Sequence, residues 1–225
     1  MRLDISDVPM AALALAFAAL LPASAPAAGA EAAVKRADFR AETASADARG
    51  TADWVAASGD NQGLPFMIVD KANAKVFLFD SQSRIRGTAP ALLGIGRGDG
   101  TAPGIGQRRL ATMTTAEKTT PAGRFQASLG HDFEQDILWI DYDSALSLHR
   151  VIPGKPKERR LQRLASATTS DNRITYGCIN VPVKFYETVV VPAFTGTVGI
   201  VYILPESSPP GEVFPMSPAT RGSPN

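Results

Sequence analysis

The sequence predicts a mainly β fold: an antiparallel β-sandwich or barrel-like sheet with one or two short helices. Three observations carry it. Two β-rich runs, Phe66–Asp70 and Lys75–Asp80, are separated only by Lys71–Ala74, as in a hairpin. Further short strand candidates follow at intervals, with Gly- and Thr-rich stretches between them. Near the end, Thr197–Leu204 (TVGIVYIL) is apolar throughout, the pattern of a buried strand. The chain has 225 residues, 44% hydrophobic and 20% charged, which suits one globular domain with tails.

Taken in order, residues 1–30 read as an export signal. Met10–Leu21 (MAALALAFAALL) is an unbroken apolar run, and Ala28-Gly29-Ala30 supplies the small-residue pattern of a cleavage site. The run is shorter than the roughly 20 residues that span a bilayer, so no permanent membrane span is expected; the alternative is an uncleaved anchor. The n-region is unusual in carrying Asp4 and Asp7 beside Arg2, and no cysteine marks a lipoprotein. The expected location is outside the cytoplasm, in the periplasm or cell envelope. Residues 31–63, rich in Ala, Asp, Ser and Thr, read as a linker or loosely attached leader.

The folded domain is expected over 64–204. After the hairpin, Ile85–Ile95 is an extended candidate interrupted by Pro90, and Arg97–Thr120 is a long loop with room for a helical turn. Gly123–Leu129, Ile137–Asp141 and Ala145–His149 read as three more strands. Pro182–Val191 is a helix candidate opened by one proline and ended by Pro192, although Val189–Val191 also favours β structure. Residues 205–225, dense in Pro, Ser and Gly, read as a flexible tail.

A net charge of +1 gives no global attraction to nucleic acid, and none is expected as a partner. One cysteine and two histidines leave little from which to build a soft-ligand metal site, so no metal is expected. The single thiol is therefore informative. In an exported chain it has no disulfide partner, and is either a small buried hydrophobe or a reactive group.

The surroundings of Cys178 (Ile174-Thr-Tyr-Gly-Cys-Ile-Asn180) suit reactivity. Gly177 permits close approach of a substrate carbonyl, and backbone N–H groups around Gly177 and Cys178 are expected to face a developing oxyanion. A base is also needed. His149, at the end of a strand, is favoured over His131, which sits in a polar connection; a purely structural histidine is the competing reading. Arg150 and Arg173 flank the two segments and are candidates to bind a substrate carboxylate. Between them Lys155, Lys157, Arg159, Arg160 and Arg163 form a basic run, read either as a solvated loop or as a lid that steers anionic substrate.

Three segments, in order, resemble the L,D-transpeptidase catalytic domain, also called the YkuD domain. Thr120-Pro-Ala-Gly-Arg-Phe125 looks like its TPxGxF segment, Leu148-His149 like its strand ending in histidine, and Thr175-Tyr-Gly-Cys-Ile-Asn180 like its cysteine signature. The resemblance implies an enzyme in which Cys178 attacks a peptidoglycan tetrapeptide stem, releases D-alanine and holds the stem as a thioester. An amine on a neighbouring stem or on a wall-attached protein would then take the acyl group; water in that place would make a carboxypeptidase. It implies His149 as the base, Thr175 as a residue ordering the loop, Gly177 as the opening to the oxyanion site, and no metal or organic cofactor; Tyr176 and Asn180, beside the cysteine, are further candidate substrate contacts. The departures are Asn180 in place of the common arginine, Arg150 after the histidine, and the long basic interval. A wall-binding protein of the same fold without turnover is the non-enzymatic alternative. No convincing sortase signature surrounds Cys178.

Overall fold

The computed structural model describes residues 34–132 and 135–216. The expected export signal and residues 217–225 of the expected tail lie outside them. No described helix is long and apolar enough to cross a membrane.

The β-rich runs form the strands the pattern predicts. The first three are β1 (Phe66–Asp70), β2 (Lys75–Phe79) and β3 (Ile85–Pro90), followed by the two-residue β4 (Leu93–Gly94). The loop to Thr120 holds three 3-10 turns, after which come β5 (Gly123–Asp132), β6 (Gln135–Asp141) and β7 (Leu146–Arg150). The chain then passes through the short helix α2 (Arg160–Leu164), numbered after an N-terminal α1 (Ala46–Ser58), to β8 (Arg173–Thr175) and β9 (Ile179–Val181). It ends with a helical segment and β10 (Val198–Ile203).

Eight strands make one sheet in the order β3-β2-β1-β10-β5-β6-β7-β9. Neighbours are antiparallel except β1 with β10 and β7 with β9, which run parallel, so the sheet is mixed but mainly antiparallel. After edge strand β3 the chain crosses to the opposite edge, where Leu92 bridges Asn180 of β9. The sheet thus nearly closes on itself like a barrel. β4 pairs separately with β8.

Strand alternation divides two cores. Met67, Val69, Val76, Leu78, Val201 and Ile203 point inward with Leu138, Ile140, Leu146 and Leu148. The inner core is closed by α3 (Val183–Phe185), a π-helical stretch Tyr186–Val190 and α4 (Val191–Phe194), through Phe185, Tyr186, Val190 and Phe194. Pro192 does not end this helix. The wide turn, with Val191 N–H bonded to the Tyr186 carbonyl, restarts the hydrogen-bond register, so Pro192 falls in the first turn of α4, where its missing N–H costs nothing.

The opposite residues Phe66, Ile68, Phe77, Phe79, Ile200 and Tyr202 form the second core. It is covered by the segment that reads as a loose leader. α1 lays Ala48, Ala52, Trp54 and Val55 on these strands, joined by Phe39 and by Phe214 from the segment that reads as a tail. Ser45 caps α1 by accepting from Ala48 N–H at 3.1 Å and donates to the Asp70 carboxylate at 2.6 Å, fixing the helix to the β1–β2 turn. Gly59, at φ 69°, ends α1 in the left-handed conformation. Residues 34–63 and 205–216 are therefore parts of the fold. The leader pattern is hard to see because half of the buried residues of α1 are alanine.

Candidate active site

β6, β7 and β9 present alternate residues to the face opposite the inner core. Trp139 of β6 pairs with Ser147 of β7, and His149 of β7 pairs with Asn180 of β9. Leu146 and Leu148 point the other way into the inner core, so Ser147 and His149 stand two residues apart on one face. Cys178 lies in the turn between β8 and β9, directly above them. Ser147 Oγ donates toward Cys178 Sγ at 3.5 Å, and Sγ lies 3.6 Å from the Ala145 carbonyl. His131 is near the tip of β5 and exposed, away from this group.

The turn holding Cys178 is tied from several sides. Thr175 Oγ1 donates to the Cys178 carbonyl at 2.7 Å and accepts from Gly177 N–H at 3.2 Å. Gly177 N–H is thus committed to Thr175 rather than to an oxyanion, a correction to the expected pair of donors. Thr120, from the TPAGRF segment, is buried and bridges two elements. Its Oγ1 accepts from Gly94 N–H at 2.9 Å and donates to the Gly177 carbonyl at 2.7 Å. Gly177 itself has φ 134°, and a Cβ there would lie 2.7 Å from the Thr119 carbonyl oxygen. Glycine is needed here for both conformation and space.

The thiol and imidazole act on each other. Burial pushes the Cys178 thiol up, but its contacts with His149 and Ser147 outweigh burial and leave it below its ordinary range. Burial pushes His149 down, while Cys178 and the Arg150 carbonyl raise it to a net value above the ordinary one, against the charge of Arg160. His149 Nδ1 is 2.8 Å from the Arg150 carbonyl, and Nε2 is 3.0 Å from Asn180 Nδ2.

Cys178 opens on a cleft of about 480 Å³, part of it open solvent. The long loop supplies one wall through Ile105, Met113, Glu117 and Thr119, and the β6–β7 turn supplies another through Ser144 and Ala145. Tyr176 stands at the rim, 42% exposed, with Lys118 Nζ 4.3 Å from its ring centroid. Trp139 and Tyr142 stack at 4.6 Å on the same face. Among the described residues, no group of three or more His, Cys, Asp or Glu side chains is placed to hold a metal ion.

Three of the four expected substrate contacts are used internally. Arg150 leaves β7 on the face opposite His149, bonds Asp136 at 2.8 Å and Glu187 at 3.1 Å, and lies over the Tyr186 ring. Arg173 is buried and paired with Glu206 at 2.6 Å. Asn180 is 1% exposed and turned to His149. Only Tyr176 remains at the cleft. The basic interval does not cover the cleft as a lid: α2 packs Leu164 against Leu92, Val151 and Ile174, and Arg160 reaches Asn180 at 3.2 Å. Ser147 and Thr120 are site residues that the sequence pattern does not single out, and Arg160 enters through Asn180 rather than as part of a lid. The period-2 spacing of Ser147 from His149 was the available signal for the first.

No family model matches the chain, and no curated protein does. Among solved structures, an L,D-transpeptidase from Xylanimonas cellulosilytica DSM 15894 is similar with a TM-score of 0.36 and 13% identity, over 62% of this chain and 60% of that one. The match thus spans about 60% of the solved chain, which is residues 123–326 of that protein. At this similarity the match says nothing of chemistry.

Proposed function

We propose that this protein is a cysteine acyltransferase of the L,D-transpeptidase type, acting on peptidoglycan stem peptides in the cell envelope. The observation that carries the reading is the placing of Cys178 at an open cleft, on the turn that leads into β9, against Ser147 and beside the strand pair that holds His149. The resemblance of the ordered TPAGRF, Leu148-His149 and TYGCIN segments to the L,D-transpeptidase domain supports this substrate class. The envelope location rests on the apolar segment within residues 1–30.

Cys178 Sγ attacks the carbonyl carbon between the third and fourth residues of a tetrapeptide stem. The developing oxyanion is met by the Cys178 N–H. The C–N bond then breaks, His149 returns its proton to the leaving nitrogen, and D-alanine departs, leaving a thioester on Cys178. In the second half, an incoming amine gives up a proton to His149 and displaces the sulfur. Thr175, Thr120 and Gly177 hold the turn in place throughout. Tyr176 contacts the substrate at the rim.

Incubation with purified tetrapeptide muropeptides, read by mass spectrometry, tests this. Cross-linked dimers with released D-alanine are expected, together with a protein mass increased by the bound tripeptide stem. Tripeptides without dimers would assign water as the acceptor, making the protein a carboxypeptidase. Full activity in Cys178→Ala, or no conversion by the wild type, would sink the proposal and leave a non-catalytic wall-binding role.

A further inference from the structure

We propose that Arg160, in the basic interval between the two catalytic segments, is a positioning residue that fixes the tautomer of His149 through Asn180. The geometry assigns each proton along a short chain. Arg160 Nη1 is 3.2 Å from Asn180 Oδ1, and a guanidinium can only donate, so this atom must be the amide oxygen. The amide NH₂ therefore faces His149, with Nδ2 3.0 Å from Nε2. Nε2 must accept that bond and carries no hydrogen. Nδ1, 2.8 Å from the Arg150 carbonyl, must donate and carries the ring proton. The resting imidazole is thus the neutral Nδ1–H form, with its basic lone pair on Nε2.

The interval is built to present Arg160. Its Nε is held by the Glu158 carboxylate at 2.6 Å, and α2 is anchored by buried Leu164. Gly154, at φ 64°, lets the loop pass over this pair: a Cβ there would lie 2.6 Å from Glu158 Oε2 and 3.0 Å from Arg160 Nε. Asn180 is buried and held in register by its pairing with His149 on the adjacent strand. The amide therefore turns mainly at the cost of its bond to Arg160.

A consequence follows for proton transfer. When His149 takes a proton on Nε2, the Asn180 NH₂ is left facing another donor. The amide must turn its oxygen to the ring, which gives up the bond to Arg160. Arg160 thus opposes protonation of His149 by orientation, and by its charge in the same direction. The groups acting on the ring are Cys178 from the β8–β9 turn, the Arg150 carbonyl on its own strand, and Arg160 from α2, whose own partner is Glu158. Cys178 draws a proton onto the imidazole, while Arg160 keeps it available as a base.

Nitrogen-15 NMR of the imidazoles in the free protein tests this without substrate, so it is independent of whether muropeptides are turned over. Above its titration, wild-type His149 is expected to carry its proton on Nδ1, in contrast to the Nε2–H form that free histidine favours. Arg160→Gln should mix the tautomers and move the His149 midpoint to higher pH. Arg160→Lys, which keeps a cationic donor, should move both readouts back toward the wild type. A wild-type ring protonated on Nε2 overturns the proposal even if the variants fold poorly. So does an Arg160→Gln protein with unchanged tautomer and midpoint, since a purely packing role for α2 would leave both alone.

Discussion

At Cys178 two opposed effects meet, and their balance sets a pH dependence. Burial favours the neutral thiol, and His149 and Ser147 favour the thiolate more strongly. The thiolate therefore appears below the ordinary cysteine range of about 8.5. The same contact raises His149 above its ordinary value, which strengthens it as the acceptor of the thiol proton. Alkylation by iodoacetamide, followed between about pH 4 and 10, should accordingly set in at lower pH than for a free thiol. In His149→Gln the partner that lowers the thiol is gone and burial remains, so the onset should move to a more alkaline pH than in the wild type. An unchanged onset would mean that the two side chains do not share a proton. Much of this site was legible in the chain, because the glycine before Cys178 and the strand carrying His149 are local features. The arginine assignments did not survive, because Asp136, Glu187 and Glu206, which pair with Arg150 and Arg173, are brought to them by the fold from elsewhere in the chain.

Among the elements, α1 shows what local patterning leaves out. Its buried positions Ala48, Ala52 and Val55 have helical spacing, but alanine gives little apolar contrast with Ser, Thr and Asp around it. The clearer clue lay in the strands: Phe66-Met-Ile-Val69 and Val76-Phe-Leu-Phe79 are apolar at every position, which a sheet with one wet face would not require. Such strands need cover on both faces, and the inner core accounts for only one. Trp54 supplies much of the rest, edge-on to Tyr202 at 5.9 Å and stacked on Phe214 at 6.2 Å. Trp54→Ala should lower stability by about 3–5 kcal/mol, measured as a lower urea midpoint. Alkylation of Cys178 in the remaining folded protein should be unaltered, because α1 and the cysteine lie on different parts of the sheet. A loss below 1 kcal/mol, by contrast, would return residues 31–63 to the status of a loose leader.

On the scale of the whole molecule, a buried charge network joins segments distant in sequence. Lys71, from the β1–β2 turn, is fully buried and donates to the Gly98 and Thr120 carbonyls and to Asp99 at 2.8, 2.9 and 2.7 Å. Asp99 also accepts from Glu206 N–H and from Ser207, while Glu206 takes Arg173 at the start of β8. The C-terminal segment thus completes a network that reaches Thr120 and, through it, the Gly177 carbonyl. Removing residues 205–225 would take away Glu206 and Phe214 together. It would leave Arg173, with its side chain 6% exposed, as an uncompensated buried charge. An orphaned buried partner costs roughly 3–5 kcal/mol, which approaches the total stability of many domains. The truncated protein should therefore unfold at markedly lower urea than the full chain. Its loss should exceed that of Phe214→Ala alone, because the charge penalty is separate from the lost aromatic packing. The intact network also gives stability a defined acid limb. Burial would raise the Asp99 carboxylate, but Lys71, Ser207 and the Glu206 N–H hold it well below its usual range. Its contribution is fully present above the unfolded carboxylate value of about 3.9 and falls away as the pH drops below it. Truncation removes the Glu206 and Ser207 donors, so the shortened protein should lose less of its remaining stability on acidification. A truncated chain with the same urea midpoint and acid limb as the full one would show that the segment after Leu204 is only a tail.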